Sequence, residues 1–548
     1  MRIALLLAGL SFAAAVPEPA KAQSKAHHAN KNNSGSGGTG FARRAQELLG
    51  KEPVSKGEWG LLIADAQSGK ILYEQNSEKY FVPASNMKLF TTALALEKLG
   101  AQYRFRTTLE STGVITPAGQ LTADLVLVGR GDPNLSNRKF PYELKEEFDG
   151  APEKAMAELA DKLASKGVKE IAGDIVGDDS YFPRERYPSG WEVDDMVWEY
   201  GAAISAIVVD DNTVTLTLTP GENAGDPVTA AVVPATPDFA VQNEVTTSSP
   251  AIKSDLTLTR EPGAQVVTVK GSMPAKSAAR KLVLAVEEPA AHAAALLKRA
   301  LEERGIKVSG VARARHESIS SPPNPALTPA AATGIAMDGN TVVPPARAPS
   351  PAILAEHLSI PLGEAVKLIN KISQNLHTEM LLRTSARQGG VWNSTDDLVK
   401  YPAAFYADAG IAAGDILQKD GSGLSRHDLI TPRAAVALLK YSQTRPWFTF
   451  YYDSLPVAGV DGTLEDRMKN TIAAGRVHAK TGSVEHVRTL SGFAETAHGR
   501  RLIFSFLSNN EAGKNHETAD ALTELCVAMM EEFDAPAAKQ VHEHKHAK

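Results

Sequence analysis

The chain has 548 residues, 43% hydrophobic and 22% charged, with a formal net charge of -6. This is the make-up of a folded protein of more than one domain, which excludes a disordered chain. No basic block argues for nucleic acid or an anionic membrane surface, and the single cysteine, Cys526, excludes an internal disulfide.

Arg2, the apolar stretch Ile3 to Val16 and the small-x-small run Ala20-Lys21-Ala22 read as a secretory signal cleaved after Ala22. The stretch is short for a bilayer. The expectation is a periplasmic or otherwise extracytoplasmic protein with no stable membrane span after cleavage. Residues 23–40 are polar and rich in Asn, Ser and Gly, as in a flexible linker. Phe41 to Leu49 carries helical apolar spacing. Trp59 to Ala64 and Ile71-Leu72-Tyr73 flank the turn cluster Asp65 to Lys70, which predicts a hairpin. Pro83 keeps Val82 extended ahead of a helix that opens near Ser85. From Met87 to Leu99 apolar residues recur at helical spacing, and Gly100 is a stop signal.

The interval between Ser85 and Ser373 is far longer than a connection requires. Leu125 to Val128, Ile171 to Val176, Val208-Val209, Val214 to Leu218, Leu256 to Thr259, Val266 to Val269 and Leu282 to Val286 all have strand character. Pro152 to Ser165 and Ala290 to Arg304 read as helices. The interval is therefore expected to be a mostly β insertion of one or two small domains, with Ser318 to Pro351, rich in Pro, Ala and Ser, as the return linker. Ala352 to His357, Gly363 to Lys371 and Leu376 to Gln388 read as helices. Asp420 to Arg426 is a tight polar loop, Pro432 to Thr444 a helix, and Val460 to Leu464 another short loop. Three strands follow: one around Lys480, then Arg488 to Thr496 and Arg501 to Leu507, with a turn at His498-Gly499. The last helix, Glu517 to Phe533, carries Cys526 as a buried structural thiol. The polar tail, 537–548, contains several histidines and reads as solvated.

The chemistry starts at Ser85. Three residues is nearly one helical turn, so Lys88 shares its face. A serine hydroxyl becomes a useful nucleophile when a base removes its proton, and a lysine made neutral by burial or a nearby cation serves. A helix N-terminus adds a backbone N–H and a dipole that favour developing negative charge. Ser-x-x-Lys alone is common by chance. Here it is followed by Ser373-Gln374-Asn375 and then by Lys480-Thr481-Gly482, the ordered set that serine–lysine acyltransferases use. No His-Glu-x-x-His or clustered Cys/His pattern is present, so neither a metal nor another cofactor is implied.

With these residues in hand, the chain resembles the D-alanyl-D-alanine carboxypeptidase/endopeptidase family. These are the class C low-molecular-mass penicillin-binding proteins that carry a large insertion between their first two motifs. Asp420-Gly421-Ser422-Gly423-Leu424-Ser425-Arg426, Gly462-Thr463-Leu464 and the run Gly173 to Phe182 are also similar to family segments. The resemblance implies an α/β (α+β) fold: a penicillin-recognising, β-lactamase-like serine transpeptidase domain, with helices around an antiparallel sheet, interrupted by the insertion. The catalytic domain would comprise 41–105 and 346–536, and the insertion 106–345.

The resemblance also implies roles. Ser85 is the acyl-accepting nucleophile and Lys88 its general base. Ser373 and Asn375 bridge substrate and proton network. Lys480 anchors the substrate's carboxylate side and, as a cation, favours a neutral Lys88. Thr481 and Gly482 form the strand edge on which substrate lies, and the N–H groups of Ser85 and Ser483 the oxyanion hole. Asp178 and Phe182 resemble insertion residues that touch a diaminopimelate side chain. The implied partners are peptidoglycan stem peptides and β-lactams. Oligomeric state stays open, a homodimer included. Two rivals also stay open at this point: a β-lactamase or esterase-like serine hydrolase, and a non-catalytic peptidoglycan-binding protein.

Overall fold

The last three strands of the chain pair with the first two. Across this antiparallel sheet the order is Val477–Val484, Val487–Glu495, Arg501–Asn509, Glu58–Asp65 and Ile71–Gln75. The computed structural model describes residues 39–138, 150–317, 350–391, 395–512 and 516–534. The signal segment, most of the return linker and the histidine-bearing tail lie outside them.

Glu58–Asp65 is buried along nearly its whole length because both faces are covered. Successive side chains in a strand point to opposite faces. Leu61 and Ile63 therefore join one core with Phe41, Phe504, Leu525 and Met529, beneath the helices Thr39–Leu49 and Glu517–Glu532. Leu62 joins the other core with Phe90, Leu94, Ile369 and Leu438. Cys526 is fully buried in the first core, and burial pushes its thiol up to about 12.

The second core is a helical layer around Met87–Leu99. That helix is buried at every position from Met87 to Leu96, the polar Lys88, Thr91 and Thr92 included. Leu362–Ile372, Asn375–Gln388 and Pro432–Ser442 pack around it. Gly100, with φ 84°, ends it as the sequence predicts.

The insertion begins and ends at one neck. Phe105 N–H donates to Ser359 Oγ at 2.9 Å, and Ser359 N–H to the Phe105 carbonyl at 3.0 Å. Beyond it lies a five-stranded sheet in the order Ala312–Glu317, Ile175–Pro183, Leu125–Val128, Arg106–Ser111, Ala352–Leu358. Two helices, Lys154–Ser165 and Pro289–Glu302, share its core. Two three-stranded sheets, one built on Thr213–Thr219 and the other on Val266–Pro274, enclose a separate small core around Val214, Leu216, Val267 and Leu284. The mostly β insertion is thus present.

Three local expectations are corrected. Ala352 to His357 is a strand, not a helix. It pairs antiparallel with Arg106–Ser111, and this long-range ladder overrides the helix-forming Ala, Leu and Glu of the segment. Val208-Val209 forms no strand but runs into a left-handed turn at Asp210, Asp211 and Asn212, with φ of 51°, 49° and 58°. The run Gly177 to Phe182 belongs to one strand, Ile175–Pro183, whereas Ile171 closes a separate short strand, Glu170–Ile171. Among the described residues, no helix is long and apolar enough to cross a membrane.

Candidate active site

Ser85 stands in a short 3-10 turn, Ala84–Asn86, that runs straight into Met87–Leu99. Ala84 has φ 47°, a left-handed conformation that costs an alanine on the order of 1–3 kcal/mol. Packing holds it there. Ala84 is fully buried, and a Cβ on Gly423 would lie 1.9 Å from its carbonyl oxygen, so only glycine lets the 420–426 loop pass. Two side chains tie the turn to the sheet. Asn86 Nδ2 donates to the Lys480 carbonyl at 2.9 Å, and Thr489 Oγ1 to the Pro83 carbonyl at 2.9 Å.

One turn along the helix, Lys88 Nζ lies 2.8 Å from Ser85 Oγ, 2.6 Å from Asn375 Oδ1 and 2.7 Å from the Ser422 carbonyl oxygen. The Asn375 amide is oriented by its other end, because Nδ2 donates to the Tyr200 carbonyl at 2.8 Å. Two of the three neighbours of Lys88 can therefore only accept. This cage fits an ammonium donating to all three oxygens, and equally a neutral amine donating to the two carbonyls and accepting from the hydroxyl, so burial decides between them. Burial, the leading cause, lowers Lys88 from 10.5 to about 7, opposed by the charges of Asp420, Glu379 and Asp428. Of the two causes the sequence offers, burial or a nearby cation, burial leads. Lys480 is itself held well below the ordinary lysine range by burial and then by the charge of Lys88.

Behind Lys88, buried carboxylates shape the loop that supplies the Ser422 carbonyl. Glu379 Oε1 accepts from Gly421 and Ser422 N–H, each at 2.8 Å, while Oε2 pairs with Arg383 at 2.7 Å. Asp420 accepts from Gly423 N–H at 2.6 Å, Ser425 N–H at 2.8 Å and Trp191 Nε1 at 2.9 Å. Burial and the charge of Asp420 push Glu379 up to about 7, against Arg383, and push Asp428 well above the carboxylate range.

Ser373 occupies the junction of two helices in a left-handed conformation, φ 64°, after Leu362–Ile372. Its Oγ accepts from Lys480 Nζ at 2.8 Å, and Lys480 also donates to the Thr481 carbonyl at 2.9 Å. Val477–Val484 is the outer strand of its sheet; its outer edge is bonded to Pro456 and Ala458 at Ala479 and Val477, and further along Thr481 and Ser483 line the cleft. A Cβ on Gly482 would meet Thr489 Oγ1 at 2.1 Å, the Pro83 carbonyl at 2.7 Å and Ser85 N at 3.1 Å. Only a bare backbone fits there. Thr481 Oγ1 is bonded to Thr463 Oγ1 at 2.7 Å.

These groups open onto a cleft of about 560 Å³, whose lining includes Ser85, Ser373, Asn375, Thr463, Thr481 and Ser483. Glu192, Asp194, Asp195 and Tyr200 from the insertion, with Arg426 and Glu485, line it too. Arg426 Nε pairs with Glu192 at 2.8 Å. The structure thus brings together Ser85, Lys88, Ser373, Asn375 and Lys480, as the motif spacing implies.

It does not bring Asp178 or Phe182 to the cleft. Asp178 lies in a strand and pairs with Arg315 at 2.8 Å, and Phe182 packs in a cluster with Trp191, Leu376 and Met380. The insertion residues at the cleft are instead those of Glu192 to Tyr200, which the sequence reading passed over. The signal available was local: three acidic residues beside Trp191 in a segment without helix or strand periodicity.

The chain is similar to known proteins over most of its length. The family model described as the D-Ala-D-Ala carboxypeptidase 3 (S13) family matches residues 42–323 and 328–528. A D-alanyl-D-alanine carboxypeptidase from an Actinomadura species is 32% identical over 468 residues, covering 83% of this chain and 78% of the relative. The D-alanyl-D-alanine carboxypeptidase DacB of Haemophilus influenzae is 27% identical over 471 residues, covering 83% of this chain and 86% of the relative. The crystal structure of penicillin binding protein 4 from Haemophilus influenzae superposes with a TM-score of 0.74 at 25% identity, covering 89% of this chain and 99% of that one. The same Haemophilus protein complexed with a β-lactam aligns with a TM-score of 0.68 at 25% identity, covering 90% and 98%. With the motif residues gathered at one cleft and a family match running from near the first helix into the last, this chain belongs to the D-Ala-D-Ala carboxypeptidase 3 (S13) family of serine peptidases.

Proposed function

We propose that the protein hydrolyses the D-Ala-D-Ala end of peptidoglycan stem peptides, or the equivalent D-Ala–diaminopimelate cross-link, through an ester on Ser85. The observation that carries this reading is the placement of the fully buried Lys88 amine 2.8 Å from Ser85 Oγ, held there by Asn375 Oδ1 and the Ser422 carbonyl. Lys88 takes the proton as Ser85 Oγ attacks the carbonyl carbon. Charge develops on the carbonyl oxygen, where the N–H groups of Ser85 and Ser483 serve as donors. The C–N bond then breaks. The leaving amine takes the Ser373 hydroxyl proton, which Lys480 replaces from its own ammonium at 2.8 Å. Water then attacks the ester as Lys480 takes its proton back through Ser373, and Lys88 returns its proton to Ser85 Oγ.

The roles of the remaining residues follow from their contacts. Asn375 holds Lys88 in place and Lys480 holds Ser373. The strand edge at Thr481 and Gly482 pairs with the extended peptide backbone. The wall of Glu192, Asp194 and Asp195, with Arg426 among them, suits a side chain ending in both an ammonium and a carboxylate. The diaminopimelate terminus has that chemistry. A periplasmic location and β-lactam acylation of Ser85 belong to the same reading.

Two measurements test it. Purified protein should release D-alanine from a stem pentapeptide and carry one fluorescent penicillin per chain, and Ser85→Ala should do neither. Penicillin retained covalently by Ser85→Ala overturns the assignment. Rapid turnover of the bound penicillin would point to a β-lactamase.

A further inference from the structure

Asn375 is held from both ends, and one end belongs to the insertion. We infer that Asp211, on the left-handed turn of the insertion, is a positioning residue for the Ser373-Gln374-Asn375 motif, so that the catalytic site is incomplete without the inserted chain. The inference rests on the functional reading above for what Asn375 does.

Asp211 is 4% exposed. Its Oδ1 accepts from Ser136 Oγ at 2.6 Å and lies 2.9 Å from His377 Nε2. Its Oδ2 accepts from Gln374 Nε2 at 3.2 Å and pairs with Arg138 Nε at 2.6 Å. Gln374 and His377 flank Asn375 on the first turn of Asn375–Gln388. Gln374 is also the cap of that helix, its Oε1 accepting from Leu376 N–H at 3.0 Å. One carboxylate of the insertion thus grips the helix start on either side of Asn375. The charges of Arg138 and His377 hold Asp211 well below the usual carboxylate range against strong desolvation, so it remains an anion.

The same turn sets the second contact. Asn212 Nδ2 donates to the Ala203 carbonyl at 3.1 Å, within the short segment whose Tyr200 carbonyl receives Asn375 Nδ2. Asp211 places the backbone that carries Asn375, and Asn212 places the acceptor that fixes which way its amide points. If the amide turned over, an NH2 group would face Lys88 in place of Oδ1, and Lys88 would lose an acceptor that holds it beside Ser85. Three consecutive non-glycine residues at positive φ are costly, and such strain persists where surrounding contacts determine it. Here those contacts lead to the second motif. Neither Asp211 nor Asn212 lines the cleft, so neither touches substrate.

The test uses the full chain and the acylation rate of Ser85 by fluorescent penicillin. It compares Asp211→Ala, Asp211→Asn, Asn375→Ala and the doubles. Asp211→Ala is expected to slow acylation by about ten- to a hundredfold, the scale of a displacement near 1 Å. In D-alanine release, kcat should fall with KM little changed, and Asp211→Asn, which keeps the acceptor oxygen, should recover part of the rate. The loss should disappear in the Asn375→Ala background, because the path runs through that side chain. Should Asp211→Ala not fold, Asp211→Asn carries the same cycle. An unchanged rate, or an equal loss with and without Asn375, overturns the inference. Wild type that labels at Ser85 while the Asp211 variants behave as wild type defeats this inference alone. Wild type that does not label at Ser85 defeats the functional reading.

Discussion

Asn86 and Lys480 meet through a single hydrogen bond, from Asn86 Nδ2 to the Lys480 carbonyl at 2.9 Å, between two buried residues 394 positions apart. The bond joins the turn that carries Ser85 to the strand that carries the third motif. It fixes the distance across which a substrate carbonyl must fit.

Asn86→Leu should therefore cost both stability and activity. Removing the donor leaves a buried carbonyl without it, a loss of about 1–3 kcal/mol. Urea unfolding should report that loss, and penicillin acylation should slow by about tenfold or more. An activity loss without a stability loss would show that the bond does not hold the two elements together.

Acylation should follow the neutral fraction of Lys88, whose ammonium loses its proton near pH 7. Below that value the rate should fall about tenfold per pH unit, and above it level off. A profile of acylation rate against pH checks this, and a midpoint near 10 would mean that Lys88 keeps its ordinary lysine value in the folded enzyme.

The same group makes stability depend on pH. Burial lowers Lys88 to about 7 from 10.5, so between those values the unfolded chain binds the extra proton. Wild type should lose stability relative to Lys88→Met as pH falls from 10.5 towards 7, by at most about 1.4 kcal/mol per unit, and then no further. Urea unfolding of both proteins at several pH values measures the difference. A constant difference would mean that Lys88 is not desolvated.

Gly482→Ala should abolish most activity without entering the chemistry. Its methyl group would have to share space with Thr489 Oγ1 and the Pro83 carbonyl, next to Ser85 N. We expect a fall of about a hundredfold in acylation rate with the sheet still formed. Circular dichroism beside penicillin labelling checks it.

The acidic wall should act on binding rather than on acylation by small β-lactams. Asp194→Asn combined with Asp195→Asn should raise KM for a stem peptide bearing a free ammonium by about tenfold, equivalent to ~1.4 kcal/mol. Penicillin acylation should hardly change. A similar rise in KM for a peptide lacking the ammonium would remove the charge argument.

Much of this was legible before the structure, because spacing carries it. Ser85 and Lys88 are one turn apart, and a strand through Lys480 followed by a hairpin is a local pattern. Ala352–Leu358 was not legible, because its strand partner, Arg106–Ser111, lies far back in the chain and its own exposed side chains show no clean alternation. Asp178 and Phe182 misled for a related reason. Their segment forms an inner strand of the insertion's sheet, between Leu125–Val128 and Ala312–Glu317, away from the cleft. Glu192 to Tyr200 reaches the cleft through short 3-10 turns, which leave no periodic trace. The base's surroundings were half legible. A lysine on the Ser85 face was evident, but the burial that lowers it and the two carbonyls of Asn375 and Ser422 that hold it exist only once the chain is folded.

The paired hydrogen bonds between Phe105 and Ser359 have a consequence for the chain as a polymer. They clip the two ends of the intervening chain side by side, so the peptidase body meets it as a closed appendage. Lengthening or shortening that appendage at its far tip changes the entropy of ring closure only logarithmically, and leaves the span at the clip as it was. Natural or engineered variation in size is thereby absorbed at the periphery, while the ladder between Arg106–Ser111 and Ala352–Leu358 carries the same pairing onward from the clip.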